Sequence, residues 1–352
     1  MMTDAPATIP LPYEPADVAR LIGPDWRDRL TRAYQWMVLA RTLDARMLAL
    51  QRQGRIGFYG PATGQEAVSV AAGLVSTPDD WIFPGLREQL VALMRGLEIP
   101  RYVHHLFAND LDAARGRQMP CHPTAREVHY VSMSSVIGTQ IAHAVGMGYA
   151  LKMRRAPGVA FAFFGDGATS SNDFHAGMNF ASVFQLPVVF CCTNNQWAIS
   201  MPVEHQTRVA HLAEKAKAYG MAGRRVDGTD VIAIHHHLMG AVDAARRGEG
   251  PRLLEFVLFR MTPHSSSDDP SRYQAANWMA RARAKDPVDR LELWLIAHAV
   301  LDAAGKAHIA RQAESAIKSA IAQAEAAAPP DPASLTTDVY ALPPPGSTPE
   351  RR

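Results

Sequence analysis

Residues 159–200 read VAFAFFGDGATSSNDFHAGMNFASVFQLPVVFCCTNNQWAIS, and their order constrains the fold more than any other stretch. An apolar run at 159–164 leads into Gly165-Asp166-Gly167, then a span of helix-starting residues, then a second apolar run at 186–193 that ends in Asn194-Asn195. Continuous apolar runs without polar alternation are the pattern of strands covered on both faces. The expected fold is therefore α/β, a mainly parallel sheet with helices on both faces. The crossover brings Asp166 and Asn195 to the carboxyl ends of neighbouring strands, where open α/β sheets bind ligands.

The residue types at that point favour a hard cation and a diphosphate. Gly165 and Gly167 let the backbone turn sharply around Asp166 and let a phosphate approach without meeting a Cβ. Ser170, followed three residues later by Asp173, offers a helix start whose free N–H groups would point at the ligand. Asp166, the side-chain oxygen of Asn195 and the main-chain carbonyl of Trp197 supply three oxygens for Mg²⁺, leaving positions for phosphate oxygens and water. A dinucleotide fold is the rival for Gly165-x-Gly167, but Ser170 stands where its third glycine belongs. The next strand also ends in Thr193-Asn194-Asn195 rather than in an acid for a ribose.

This GDG…NN pattern resembles the thiamine diphosphate signature. From about residue 26 to about residue 344 the chain resembles the alpha subunit of the decarboxylating component of 2-oxo acid dehydrogenase complexes. Further landmarks are Gly64-Gln65-Glu66-Ala67, Arg87-Glu88, GRQMPCH at 116–122, SSVIGTQ at 134–140 and PHSSSDDPSRY at 263–273. The GRQMP and HSSSDDPSRY versions look most like the branched-chain enzymes. The alternatives kept open are a pyruvate or acetoin enzyme with the same cofactor, and a non-catalytic scaffold subunit.

The resemblance implies roles by position. Gly165, Asp166, Gly167, Ala168 and Asn195 would hold the cofactor, with Arg87 pairing with its diphosphate through a two-donor fork. Ser135 and Ile137 would lie against the aminopyrimidine ring; judged alone, Ile137 is a core residue opening a helix over 136–155. Ser134, the main chain of Val136, Thr139 and Gln140 match a potassium loop. His264, in a mobile loop, would contact the cofactor phosphates and take part in reductive acylation. Ser265 matches a position phosphorylated in the animal branched-chain enzyme. The glutamate that activates the pyrimidine ring would come from a beta subunit in an α2β2 heterotetramer, since Glu66 is structural by resemblance. A lipoyl-bearing acyltransferase and a small 2-oxo acid complete the implied partners. Two departures stand out: Leu86 where the family commonly has a tyrosine, and Thr193 where the animal enzymes have an arginine to the diphosphate.

Other clusters carry little chemistry. His235-His236-His237 and His104-His105 read as ordinary helical surface, because adjacent helical residues face different ways. Cys191-Cys192 reads as buried thiols on opposite faces of a strand. With 47% hydrophobic residues the chain can bury a large core, and a formal charge of +2 calls for neither nucleic acid nor an acidic surface. Three cysteines make no disulfide framework. No signal or membrane-spanning pattern is present, so a cytoplasmic setting is expected. The expected organisation is an extended arm at 1–24, a thiamine diphosphate-binding catalytic domain at 25–328 and a proline-rich tail at 329–352. Within the domain, helices are expected over 26–53, capped by Gly54, and over 286–328.

Overall fold

The computed structural model describes residues 7–337 and 339–342. Its centre is a sheet of five strands, all parallel: β1 (Trp81–Phe83), β2 (Ala160–Gly165), β3 (Val188–Asn194), β6 (Ala222–Asp227) and β7 (Arg252–Val257). They run side by side in the order β1-β2-β3-β7-β6. Two short strands, β4 (Trp197–Ala198) and β5 (Met201–Pro202), form a separate antiparallel hairpin. All seven residues of β3 are buried.

The period of two along each strand separates two cores. Phe161, Phe163, Val189, Cys191, Leu254 and Phe256 face one layer, whose helices include α2 (Trp26–Arg52), α3 (Glu66–Val75), α4 (Gln89–Met94), α5 (Ile99–Phe107) and α8 (Val231–Arg246). Ala160, Ala162, Phe164, Val188, Phe190, Cys192 and Leu253 face the other, covered by α6 (Thr139–Arg154) and α7 (Asn172–Val183). Cys191 and Cys192 are thus buried on opposite faces, as expected.

Several local expectations change. Residues 7–14 lack regular structure, but α1 (Pro15–Ile22) forms inside the expected arm and buries Val18 and Ile22. Its start has a proline at the first helical position and the Glu14 N–H donating to Asp17 at 3.4 Å. Helix α2 ends as a Schellman turn: Gly54 at φ +73°, its N–H on the Gln51 carbonyl and the Arg55 N–H on the Leu50 carbonyl. Helix α6 starts at Thr139, three residues later than expected, so Val136 and Ile137 belong to the preceding loop.

The stretch expected to be helical over 286–328 is so in two helices, α10 (Pro287–Ala297) and α11 (Ala303–Ala326), with α9 (Trp278–Ala284) before them. Ala299 at φ +54° breaks the run, and Asp302 restarts it by accepting from the Gly305 N–H at 2.7 Å. The tail contributes a short 3₁₀ turn at Pro332–Thr336; residues 1–6, 338 and 343–352 lie outside the described residues. No helix among the described residues is long and apolar enough to cross a membrane.

Candidate active site

The carboxyl ends of β1, β2 and β3 open into a cavity of about 500 Å³. Gly165 and Thr193 are register partners at the ends of β2 and β3, so the residues that follow each strand emerge side by side. Asp166, Gly167 and Ala168 lie in a 3₁₀ turn, Asp166–Ser170, and line the cavity with Asn195, Trp197, Arg87, Ser134, Ser135, Ile137, Gln140 and His264. Leu86 and Thr193, the two departures, line it as well. Val136 and Thr139 do not.

The helix after this turn contributes differently from the expectation. Ser171, not Ser170, caps α7 by accepting from the Phe174 N–H at 3.2 Å. A Cβ on Gly138 would sit 2.4 Å from Ser171 Oγ, so the start of α7 packs on the start of α6 and the 3₁₀ turn faces the cavity instead. Gly167 is required by packing, since a Cβ there would come within 2.7 Å of Ala198 Cβ, whereas a Cβ on Gly165 would meet open space.

Asp166 is 1% exposed, and burial raises its carboxyl to about 6; the Gln206 hydrogen bond and the charge of Arg260 oppose that rise. Its side-chain partner is Gln206, whose Nε2 donates to Oδ2 at 2.6 Å. Asn195 Oδ1 accepts from the Trp197 N–H at 3.2 Å, and its Nδ2 donates to Gln65 at 3.3 Å. The Trp197 carbonyl accepts from Arg260 at 3.4 Å. A buried, under-compensated carboxylate beside a carboxamide oxygen and a carbonyl suits a hard cation. Gln140 adds a second sign: its Nε2 donates to the Phe163 carbonyl at 2.9 Å, while Oε1 is buried with no partner. Ser134 Oγ accepts from the Val136 N–H at 3.1 Å.

Arg87 is buried and donates to the carbonyls of Pro61 and, at 2.7 Å, His264. Burial, with Arg260 nearby, pushes its guanidinium down to about 10. His264 Nδ1 lies 3.4 Å from Arg87, and its backbone N–H donates to Asp268 at 2.7 Å. Burial first, then Arg87 and Arg260, push the imidazole down to about 4, so it is neutral at neutral pH. Ser265 is 8% exposed and shares a hydrogen bond with Ser267 at 3.2 Å, which keeps its hydroxyl away from solvent in this conformation.

Comparison with known proteins fits this geometry. The dehydrogenase E1 component family matches residues 34–333. The chain belongs to that family. It is 37% identical over 316 residues to the 2-oxoisovalerate dehydrogenase subunit alpha 2, mitochondrial, of Arabidopsis thaliana, covering 89% of this chain and 66% of that one. The match to the 3-methyl-2-oxobutanoate dehydrogenase subunit alpha of Mycobacterium tuberculosis is 40% identical over 289 residues, 78% of this chain and 76% of that one. The 2-oxoisovalerate dehydrogenase subunit alpha of Bacillus subtilis is 39% identical over 264 residues, 74% of this chain and 80% of that one. The chain spans less than two thirds of the two plant relatives, 66% of one and 56% of the other.

Within this E1 component fold, sequence reasoning missed three residues. Arg260 is fully buried and donates to the carbonyls of Trp197 and Ile199 and to the Tyr273 hydroxyl. Its one sequence signal is a charge directly after an apolar strand. Gln206 has no such signal. Glu88 lines the cavity, buried, with its carboxylate accepting from the Arg87 N–H at 3.2 Å and raised by burial to about 7.

The discarded histidines are corrected in part. His104, His105 and His235 are buried rather than on a helical surface, each with a polar neighbour on one ring nitrogen, while His235 Nδ1 has no partner. Asn109 contacts His104 Nδ1 at 2.9 Å, Asp112 contacts His105 Nδ1 at 3.1 Å and Arg29 contacts His235 Nε2 at 3.3 Å. No group of three or more His, Cys, Asp or Glu side chains that could hold a metal occurs among the described residues. Glu66 is taken up by Arg41 at 2.7 Å and the Gly64 N–H at 2.8 Å, which fits the structural role expected of it.

Proposed function

We infer that this chain is the alpha subunit of a 2-oxo acid dehydrogenase that uses thiamine diphosphate, Mg²⁺ and K⁺. Its substrate is a branched-chain 2-oxo acid such as 3-methyl-2-oxobutanoate, and the acyl group passes to lipoyl groups on an acyltransferase. The observation that carries this reading is the meeting of Asp166 and Asn195, at the ends of adjacent strands, with Arg87 and His264 in one cavity. Bound thiamine diphosphate would supply the carbon nucleophile and electron sink that let a 2-oxo acid lose carbon dioxide.

The residues of the chain do the rest. Asp166, Asn195 Oδ1 and the Trp197 carbonyl would hold Mg²⁺, and Gly165 leaves the room that a diphosphate would need. Gln140 Oε1, left without a partner, is the acceptor that a potassium ion would satisfy together with Ser134, Thr139 and the Val136 carbonyl. His264, neutral and hydrogen-bonded through its backbone, holds or moves a proton during acyl transfer.

A beta subunit completes the site. Glu66 is taken up by Arg41 and the Gly64 N–H, and the family resemblance assigns the acid that activates the cofactor ring to the partner. Toward the amino ends of β2 and β3, Tyr149, Met153, Phe180, Val183 and Phe184 expose apolar side chains on and just after α6 and α7, with Tyr149 packed 6.0 Å from Phe180 and 5.6 Å from Phe184. Ile137 and Val136, 65% and 68% exposed, lie in the loop before α6. Such a contiguous apolar face marks a protein contact, and an α2β2 heterotetramer would cover it.

Trp197 lines the cavity and so reports on occupancy by its fluorescence. The complex of this chain with its beta partner should show saturable quenching by thiamine diphosphate only when Mg²⁺ is present. Asp166→Ala should abolish it. Quenching that needs neither Mg²⁺ nor Asp166 would overturn the assignment.

A further inference from the structure

Behind Ser135, outside the cavity lining, lies His122, a residue with no role in the reading above. His122 is 3% exposed, and both of its ring nitrogens are engaged. Nδ1 lies 2.9 Å from the Pro120 carbonyl, and Nε2 contacts Ser135 Oγ. A carbonyl oxygen can only accept, so Nδ1 carries a proton. In the neutral ring Nε2 is then the acceptor, and the Ser135 hydroxyl must donate to it.

The backbone behind this pair is fixed as well. The His122 N–H donates to His105 Nε2 at 3.0 Å, which leaves the proton of His105 on Nδ1, facing Asp112 at 3.1 Å. Ser135 itself is exposed to the cavity. With its one proton committed to His122, what it offers a ligand is oxygen lone pairs.

We propose that His122 is a positioning residue that makes Ser135 an acceptor-only hydroxyl, so that the cavity selects a ligand bearing an N–H donor over one bearing a carbonyl oxygen at that point. The proposal rests on the cavity being a thiamine diphosphate site, where the aminopyrimidine ring is the part that carries an exocyclic amine. Left without His122, the hydroxyl would rotate and donate as readily as accept.

The test is a binding ratio rather than an activity. The complex of this chain with its beta partner is titrated, by tryptophan fluorescence in the presence of Mg²⁺, with thiamine diphosphate and with oxythiamine diphosphate, in which a carbonyl oxygen replaces the 4′-amine. General loosening of the site weakens both ligands and leaves the ratio of their dissociation constants alone. His122→Asn keeps a donor for Pro120 but has no atom to reach Ser135; it should cut the preference for the amine about fivefold, the worth of one average hydrogen bond. Ser135→Ala should do the same, and the double variant should go no further. His122→Gln, with a carboxamide oxygen near the place of Nε2, should restore the wild-type ratio. An unchanged ratio in His122→Asn, with both ligands bound, overturns the inference and leaves the functional reading standing. Failure of the wild-type complex to bind either ligand overturns the reading, and the inference with it.

Discussion

The side-chain amide of Gln206 donates to Asp166 Oδ2 at 2.6 Å, so the acid at the end of β2 is steadied by a residue beyond the β4–β5 hairpin. A carboxylate has lone pairs to spare after one such bond, and Gln206 fixes its plane for a cation. Partners of metal ligands usually matter 10- to 100-fold. Gln206→Ala should therefore weaken Mg²⁺ about tenfold or more in a Mg²⁺ titration of cofactor binding. Unchanged affinity would remove Gln206 from the metal site.

The raised carboxyl of Asp166 gives this site a pH dependence with a definite sign. An ordinary aspartate ionises near 4, whereas burial raises this one to about 6. Without a cation, the raised value favours the fold fully below about pH 4, and that contribution is lost as pH rises through about 6. Mg²⁺ needs the ionised form, so its affinity should be highest above about pH 6 and fall, with uptake of one proton, as pH drops through that value. Isothermal titration in two buffers of different ionisation enthalpy measures the proton count. Affinity that stays flat between about pH 5 and 7 would contradict Asp166 as the ligand.

Much of this was legible because of where it sits. Strands β2 and β3 are central and covered on both faces, so they show in the sequence as unbroken apolar runs, and Asp166 and Asn195 sit at their ends by the same logic. Ile137, judged alone, reads as core because an apolar residue looks the same in a core and in a cavity wall; the resemblance puts it at the cofactor, and it is 65% exposed and lines the cavity. The helical reading of 286–328 gives no place for the break between α10 and α11, because it depends on one left-handed residue, Ala299, whose side chain gives no sign of it. Gln206 and the buried His104 and His105 depend on partners brought in by tertiary structure, and no local pattern encodes those.

Arg260 should prove structural and functional at once. Its removal takes a donor from the carbonyls of Trp197 and Ile199 and from the Tyr273 hydroxyl, in part-buried positions, while Tyr273 keeps its bond to Asp268. Hydrogen bonds to a charged group contribute about 1.5–3 kcal/mol, and water can replace part of these, so Arg260→Ala should lower the unfolding free energy by about 2 kcal/mol. Urea denaturation of the assembled complex reads this directly. A loss below about 0.5 kcal/mol, the usual size of a neutral surface substitution, would show that these bonds contribute little.

His264 separates the two half-reactions. Decarboxylation read with an artificial electron acceptor should survive His264→Ala in large part, while acylation of a lipoyl domain should fall by about 100-fold or more, the usual size of a lost acid–base group. Normal lipoyl acylation in the variant would strip His264 of its proposed role.

The most direct test of the whole account is carbon dioxide release by this chain assembled with its beta partner, supplied with thiamine diphosphate and Mg²⁺, on 3-methyl-2-oxobutanoate and on pyruvate side by side. The account predicts turnover that depends on both additions, is abolished by Asp166→Ala and favours the branched substrate. Turnover that favours pyruvate would keep the chemistry and contradict the substrate assignment, and no turnover on either acid would contradict the central claim.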